Sequence, residues 1–139
     1  MMDVPTLTIE FEAHFRNVDI VRAALQGISS EYFGKDSERA EDIVMAANEA
    51  MNNAVEHTGS ATVRIEVICS EESLNVFVIS GGPPFDPVSA SAGLSEADMM
   101  ERDEGGYGLF LIRELVDRFE YEYRDARNIW KLYKLTSHQ

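Results

Sequence analysis

The sequence predicts an α/β protein, an α+β two-layer sandwich in which a mixed, largely antiparallel sheet is covered on one face by helices. Three observations predict it. Runs such as Leu7–Ile9–Phe11, Val63–Ile65–Val67, Leu74–Val76–Val78 and Phe119–Tyr121–Tyr123 place apolar or aromatic side chains at every second position, as half-buried strands do. A long stretch between the first two runs has apolar residues recurring at three and four, as helices do. The order is strand, two helices, two strands, an irregular segment, a helix and two strands, which suits helices segregated to one face of a sheet.

In chain order, Leu7, Ile9 and Phe11 alternate with Thr8 and Glu10 in a first strand. Asn17 is placed to cap a helix carrying Val18, Val21, Leu25, Ile28 and Tyr32, which ends near Gly34. Asp36 or Ser37 opens a second helix with Ile43, Ala47, Ala50 and Ala54 as its core stripe, and Gly59 stops it. Two strands joined by a tight link at Glu71–Ser73 read as an antiparallel hairpin. Ser80–Pro87, S-G-G-P-P-F-D-P, breaks regular structure. Val88–Glu104 is small and acidic with little pattern, although Ser95–Arg102 could form a short helix; irregular segments of this length are usually lids or disordered. An apolar helix with Leu111, Ile112, Leu115 and Val116 follows the glycine run, and Asn128–Leu135 is the last strand. Residues 1–139 read as one domain without repeats.

Composition bounds the function. Of 139 residues, 45% are hydrophobic and 27% charged, an ordinary globular balance. The formal net charge of -13 opposes binding to nucleic acid, whose affinity comes mainly from Lys and Arg, and opposes docking on an anionic membrane. A single cysteine, Cys69, excludes an intramolecular disulfide, and His14, His57 and His138 show no metal-ligand spacing. No basic n-region or long apolar run marks the start, so the expectation is a cytoplasmic protein.

The chemistry concentrates in three places. The helix segment Met45–Thr58, M-A-A-N-E-A-M-N-N-A-V-E-H-T, is rich in Ala yet carries Glu49, Asn52, Asn53, Glu56 and His57. Glu49 and Asn53 are one turn apart on one face. The two adjacent Asn residues cost about 1 kcal/mol of helix stability relative to Ala, which calls for a reason. An amide oxygen can ligate Mg²⁺, and a carboxylate can accept a proton from an attacking hydroxyl. A lone helix Glu is far more often simply solvated, and His57 serves equally well as a helix-end hydrogen-bonding group. The second place is Gly105, Gly106 and Gly108, which precede an apolar helix; they read as a phosphate cradle or, with equal weight, as a flexible loop at a helix start. No Gly-Lys-Ser/Thr follows, so this is not a Walker A loop. The third is Ser80–Pro87, where Gly81 and Gly82 allow close approach to a flat ligand and Phe85 can pack beneath; taken alone, a simple rigid turn is the better reading.

Taken together and in this order, N-E-A-M-N-N-A-V-E-H, G-G-P-P-F-D-P and G-G-Y-G-L-F-L-I resemble the GHKL ATPase superfamily, with its Bergerat-type ATP-binding fold. Within it the chain is similar to the small stand-alone anti-sigma-factor serine kinases, and R-N-I-W-K-L-Y-K is similar to their closing strand. The resemblance implies ATP and Mg²⁺ as cofactors. It implies Asn53 as the Mg²⁺-binding residue and Glu49 as the catalytic base. It implies Gly105, Gly106, Tyr107, Gly108 and Leu109 on the triphosphate side, Ser80 and Gly82 on the adenine side, and a mobile ATP lid at 88–104. The implied function is a serine protein kinase that phosphorylates a small anti-sigma-factor antagonist and sequesters a sigma factor; homodimerisation is a family expectation. Ser80 departs from the pattern, since relatives usually carry an Asp there to accept the adenine amino group. On that departure rests the alternative, a non-catalytic partner-binding module with weak or lost ATP binding. A third reading is a nucleotide-binding regulatory domain of a larger complex.

Overall fold

The computed structural model describes residues 5–86 and 106–136. The elements are β1 (Leu7–Glu12), α1 (Phe15–Phe33), α2 (Glu38–His57), β2 (Thr62–Cys69), β3 (Ser73–Gly81), α3 (Gly106–Leu115), β4 (Arg118–Arg124) and β5 (Arg127–Leu135). The expected lid at 88–104, the short helix at Ser95–Arg102 and Gly105 lie outside the described residues.

The strands form one five-stranded sheet of order β1-β2-β3-β5-β4. Every pairing among them is antiparallel, including the expected β2–β3 hairpin, in which Cys69 lies opposite Leu74. Alternation decides the faces. Val63, Ile65 and Val67 of β2, Leu74, Val76 and Val78 of β3, and Trp130 and Leu132 of β5 are buried against the helices. The opposite face carries charge, with Arg64 3.3 Å from Glu66 and Lys131 2.9 Å from Glu122.

Helix α2 is the centre of the helical layer, touching α1, α3, β3 and β5. Its buried stripe includes Ala46, Ala47 and Ala50, small enough to let the backbone approach its neighbours closely, with Met51 filling the space beside them. Ser37 caps the helix by accepting from the Ala40 N–H at 3.4 Å, and Glu38 and Glu41 in the first turn favour the positive end of its dipole. At the other end Gly59 takes φ +69 and turns the chain.

Two local expectations are corrected. Helix α1 begins at Phe15, so Asn17 lies inside its first turn rather than capping it. The Asn17 amide donates back to the Glu12 carbonyl at 2.8 Å, tying the helix start to the end of β1. Helix α3 begins at Gly106, so Gly106, Tyr107, Gly108 and Leu109 form its first turn rather than a loop before it. A third feature has no counterpart in the sequence reading. Lys134 sits on the core face of β5 and is only 6% exposed; its ammonium donates to Asp42 at 3.2 Å and to the Leu115 carbonyl at 2.6 Å. It thereby neutralises a carboxylate on α2 and satisfies a carbonyl at the C-terminus of α3, fixing both helices to the sheet.

Candidate functional site

The site lies along the inner side of α2, with α3 at one end and the β3 exit at the other. Asn53 is buried at 5% exposure, and its amide nitrogen donates to the Glu49 carbonyl at 2.8 Å. That bond engages one of the two amide N–H groups and fixes the orientation of the side chain. Glu49 is half-buried, and desolvation raises its carboxyl above the ordinary glutamate range.

The glycine run meets this pair directly. A Cβ on Gly108 would stand 3.0 Å from Asn53 Nδ2 and 3.4 Å from Glu49 Oε2. Glycine at 108 is thus what allows the first turn of α3 to lie against both side chains. The first backbone N–H groups of a helix have no intrahelical partner and lie at its positive end, so they favour an anion. Leu109 is 1% exposed and anchors that turn in the core. Glu49, Asn53 and Gly108 are therefore brought together, with Gly106, Tyr107 and Leu109 on the same helical turn.

The second end is built around residues 80–86. Ser80, 5% exposed, points to the helical layer between Val63 on β2 and Asn128 on β5. The chain then turns sharply over the end of α2. Gly82 has φ +100, and a Cβ there would stand 2.2 Å from the Thr58 carbonyl oxygen, so no other residue fits without moving the backbone. The Ser60 hydroxyl accepts from the Gly81 N–H at 2.9 Å and donates to the Thr62 carbonyl at 2.6 Å. Phe85 lies under the turn, stacked on His57 at 4.8 Å between centroids and on Trp130 at 6.1 Å. His57, left open as a helix-end group, is thus an aromatic support for this turn.

Asn128 is the residue that sequence reasoning passed over. It is fully buried. Its amide nitrogen donates to the Pro83 carbonyl at 3.0 Å, and its amide oxygen accepts from the Phe85 N–H at 2.7 Å and from the Tyr121 hydroxyl at 2.5 Å. Burial raises the Tyr121 phenol above its ordinary range, which keeps it a donor. Tyr123 adds a bond from its hydroxyl to the Gly82 carbonyl at 2.9 Å. A signal was available: Asn128 shares a strand face with Trp130 and Leu132, and a polar side chain in that register needs partners.

The donor set fits a magnesium-bound polyphosphate. Among the described residues no group of three His, Cys, Asp or Glu could hold a metal. Mg²⁺ does not need such a cage, since it is usually held by one or two protein oxygens together with substrate phosphates and water. An Asn amide oxygen is a hard ligand of that kind, and the Asn53 amide lies against Gly108.

Comparison with known proteins follows this geometry. A family model described as the histidine kinase-like ATPase domain matches residues 11–134. The serine-protein kinase RsbW of Bacillus licheniformis is 36% identical over 110 residues, covering 72% of this chain and 67% of that protein. The protein of the same name from Listeria monocytogenes is 30% identical over 131 residues, covering 88% of this chain and 83% of its own. Among solved structures, the RsbU and RsbW domains of Rv1364c from Mycobacterium tuberculosis superpose with a TM-score of 0.64 at 20% identity, covering 95% of this chain and 33% of that one. The Acinetobacter baumannii histidine kinase AdeS superposes with a TM-score of 0.53 at 10% identity, covering 97% of this chain and 70% of that one. The two structures bear on the fold alone.

Proposed function

We propose that this chain, which belongs to the histidine kinase-like ATPase family, is an ATP- and Mg²⁺-dependent serine protein kinase that phosphorylates a small antagonist protein within a sigma-factor partner switch. The observation that carries the reading is the close approach of Gly108 to both Asn53 and Glu49, which joins a helix N-terminus, an amide side chain and a raised-pKa carboxylate in one place.

In this reading the first turn of α3, Gly106 to Leu109, receives the phosphates through its backbone N–H groups. The Asn53 amide oxygen holds Mg²⁺, which supplies charge neutralisation to the phosphates when bound. Glu49 accepts the proton of the incoming serine hydroxyl; its raised pKa brings it closer to that task at neutral pH. Ser80 and Gly82 receive the base at the far end. The acceptor is a serine of an anti-sigma-factor antagonist, a sigma factor is the second partner, and a homodimer is the working form; the similarity to RsbW serine-protein kinases supports the kinase assignment. No helix among the described residues is long and apolar enough to cross a membrane.

The alternative, a partner-binding module without effective nucleotide use, is favoured only by Ser80. A hydroxyl lacks the charge of a carboxylate, and a hydrogen bond to a charged group is worth roughly 1.5–3 kcal/mol, about ten- to a hundredfold in affinity. Calorimetric titration with ATP up to the millimolar range, with and without Mg²⁺, decides between the two. Mg²⁺-dependent binding is expected; no heat at any concentration would favour the binding module.

A further inference from the structure

The turn at 82–86 is fixed from several directions by the protein's own groups, and one side chain bonds to both of its limbs. Asn128 touches both limbs of the turn, donating to Pro83 O at 3.0 Å and accepting from Phe85 N at 2.7 Å. Its oxygen is held in turn by the Tyr121 hydroxyl at 2.5 Å. Asn128 itself is fully buried, so loss of a partner leaves its amide short of a bond that water does not readily replace. Tyr121 and Asn128 come from adjacent strands, so the turn is registered against the sheet and not only against its own strand. Two prolines in the turn, Pro83 and Pro84, lower the freedom it would regain if released.

We propose that Asn128, oriented by Tyr121, is the positioning residue of the nucleotide site: it preforms the base-side turn so that the nucleotide meets it already in place. The inference rests on the nucleotide reading of the site, and it assigns a role to a residue distant from Glu49 and Asn53. Preforming a binding loop raises affinity by removing the ordering cost from the binding step. It leaves the transfer step untouched, because the reacting groups lie at the other end of the site. The effect of releasing the turn is therefore a rise in Kd and KM for the nucleotide with kcat kept.

The chain carries its own probe. Trp130 is the only tryptophan and stacks on Phe85, so displacement of the turn changes its emission. Tyr121→Phe removes one hydroxyl and little volume; Asn128→Ala removes all three bonds but risks the fold at a fully buried position. The two variants are compared with wild type for ATP affinity by calorimetry, for kcat and KM in serine phosphorylation, for Trp130 emission and for hydrogen exchange at the Phe85 amide. Tyr121→Phe is expected to weaken ATP binding several-fold and Asn128→Ala about tenfold or more, each with near-unchanged kcat, shifted Trp130 emission and faster Phe85 exchange. Unchanged affinity in a folded Tyr121→Phe with unchanged Phe85 exchange overturns the proposal, as does a fall in kcat at constant KM. If wild type itself binds no nucleotide, the nucleotide reading fails on that result. The placement of the turn by Asn128 is then still decided: faster Phe85 exchange in Tyr121→Phe supports it and unchanged exchange refutes it.

Discussion

Gly108 and Asn53 are in contact across the α2–α3 interface, with room for a hydrogen but not comfortably for a methyl group: a Cβ at 108 would stand 3.0 Å from Asn53 Nδ2. Gly108→Ala sets two effects against each other. Alanine is favoured over glycine inside a helix by about 1 kcal/mol, whereas the added methyl must push the Asn53 amide aside. Nucleotide affinity is expected to fall about tenfold while the melting temperature moves by only a few degrees. Unaltered affinity in a calorimetric titration would mean that Asn53 is not a ligand of the bound group.

Glu49 is expected to trade stability against activity. Its carboxyl is raised by burial, so the folded chain holds that proton more tightly than the unfolded chain does. The stabilising linkage is thus present below the unfolded pKa and is lost as pH rises through the folded one, leaving the ionised carboxylate a net cost at neutral pH. Glu49→Gln should therefore raise the melting temperature at pH 7 and give no such gain in acid, while phosphoryl transfer is lost and ATP binding kept. In wild type the transfer rate should rise with pH through a pKa above the ordinary glutamate range. A rate profile without that limb would remove Glu49 from the role of base.

Gly81 and Gly82 are neighbours with opposite expectations. A Cβ on Gly82 would meet the Thr58 carbonyl oxygen at 2.2 Å at φ +100, whereas one on Gly81 would find the Ser60 hydroxyl at an ordinary 3.5 Å. Gly82→Ala is expected to cost more than about 2 kcal/mol in urea unfolding, and Gly81→Ala under about 1 kcal/mol. Equal losses would mean that the turn is not seated on the end of α2.

Ser80→Asp tests the base end. The side chain is buried between Val63 and Asn128, and both polar groups of the Asn128 amide are already engaged, so a carboxylate there lacks compensation until a ligand supplies a donor. The variant should be less stable than wild type without nucleotide and should bind ATP about tenfold more tightly. Thermal melting with and without Mg-ATP reads both effects. A variant that gains nothing on adding nucleotide would show that Ser80 does not face the base.

The fold was legible because its periodicities are clean. β2 and β3 alternate without interruption, and the Ala-rich stripe of α2 could only be a helix packed close to its neighbours. The pairing of Glu49 with Asn53 followed from helical spacing alone, and joining them to Gly108 required the resemblance of three motifs taken in order. What stayed hidden were bonds between segments far apart in sequence. Asn128 reaches Phe85, Lys134 reaches Asp42, and His57 stacks on Phe85. Local pattern does not encode such partners; it can only mark the polar residue in an apolar register as owing an explanation. The boundary of α3 was misjudged for a related reason, since glycines weigh against a helix in isolation and packing against α2 outweighs them.

Helix α2 reaches both ends of the site. Asn53 stands where α3 comes in, and five residues on, the Thr58 carbonyl forms the seat on which Gly82 turns. An α-helix advances by about 1.5 Å per residue, so these two points are held about 7.5 Å apart along one rod. The helix is in effect a ruler with fixed graduations. Adding or deleting one residue between Asn53 and Thr58 would shift the two ends by about 1.5 Å and rotate one against the other by about 100°. The length of the interval is therefore as much a part of the site as the side chains it carries.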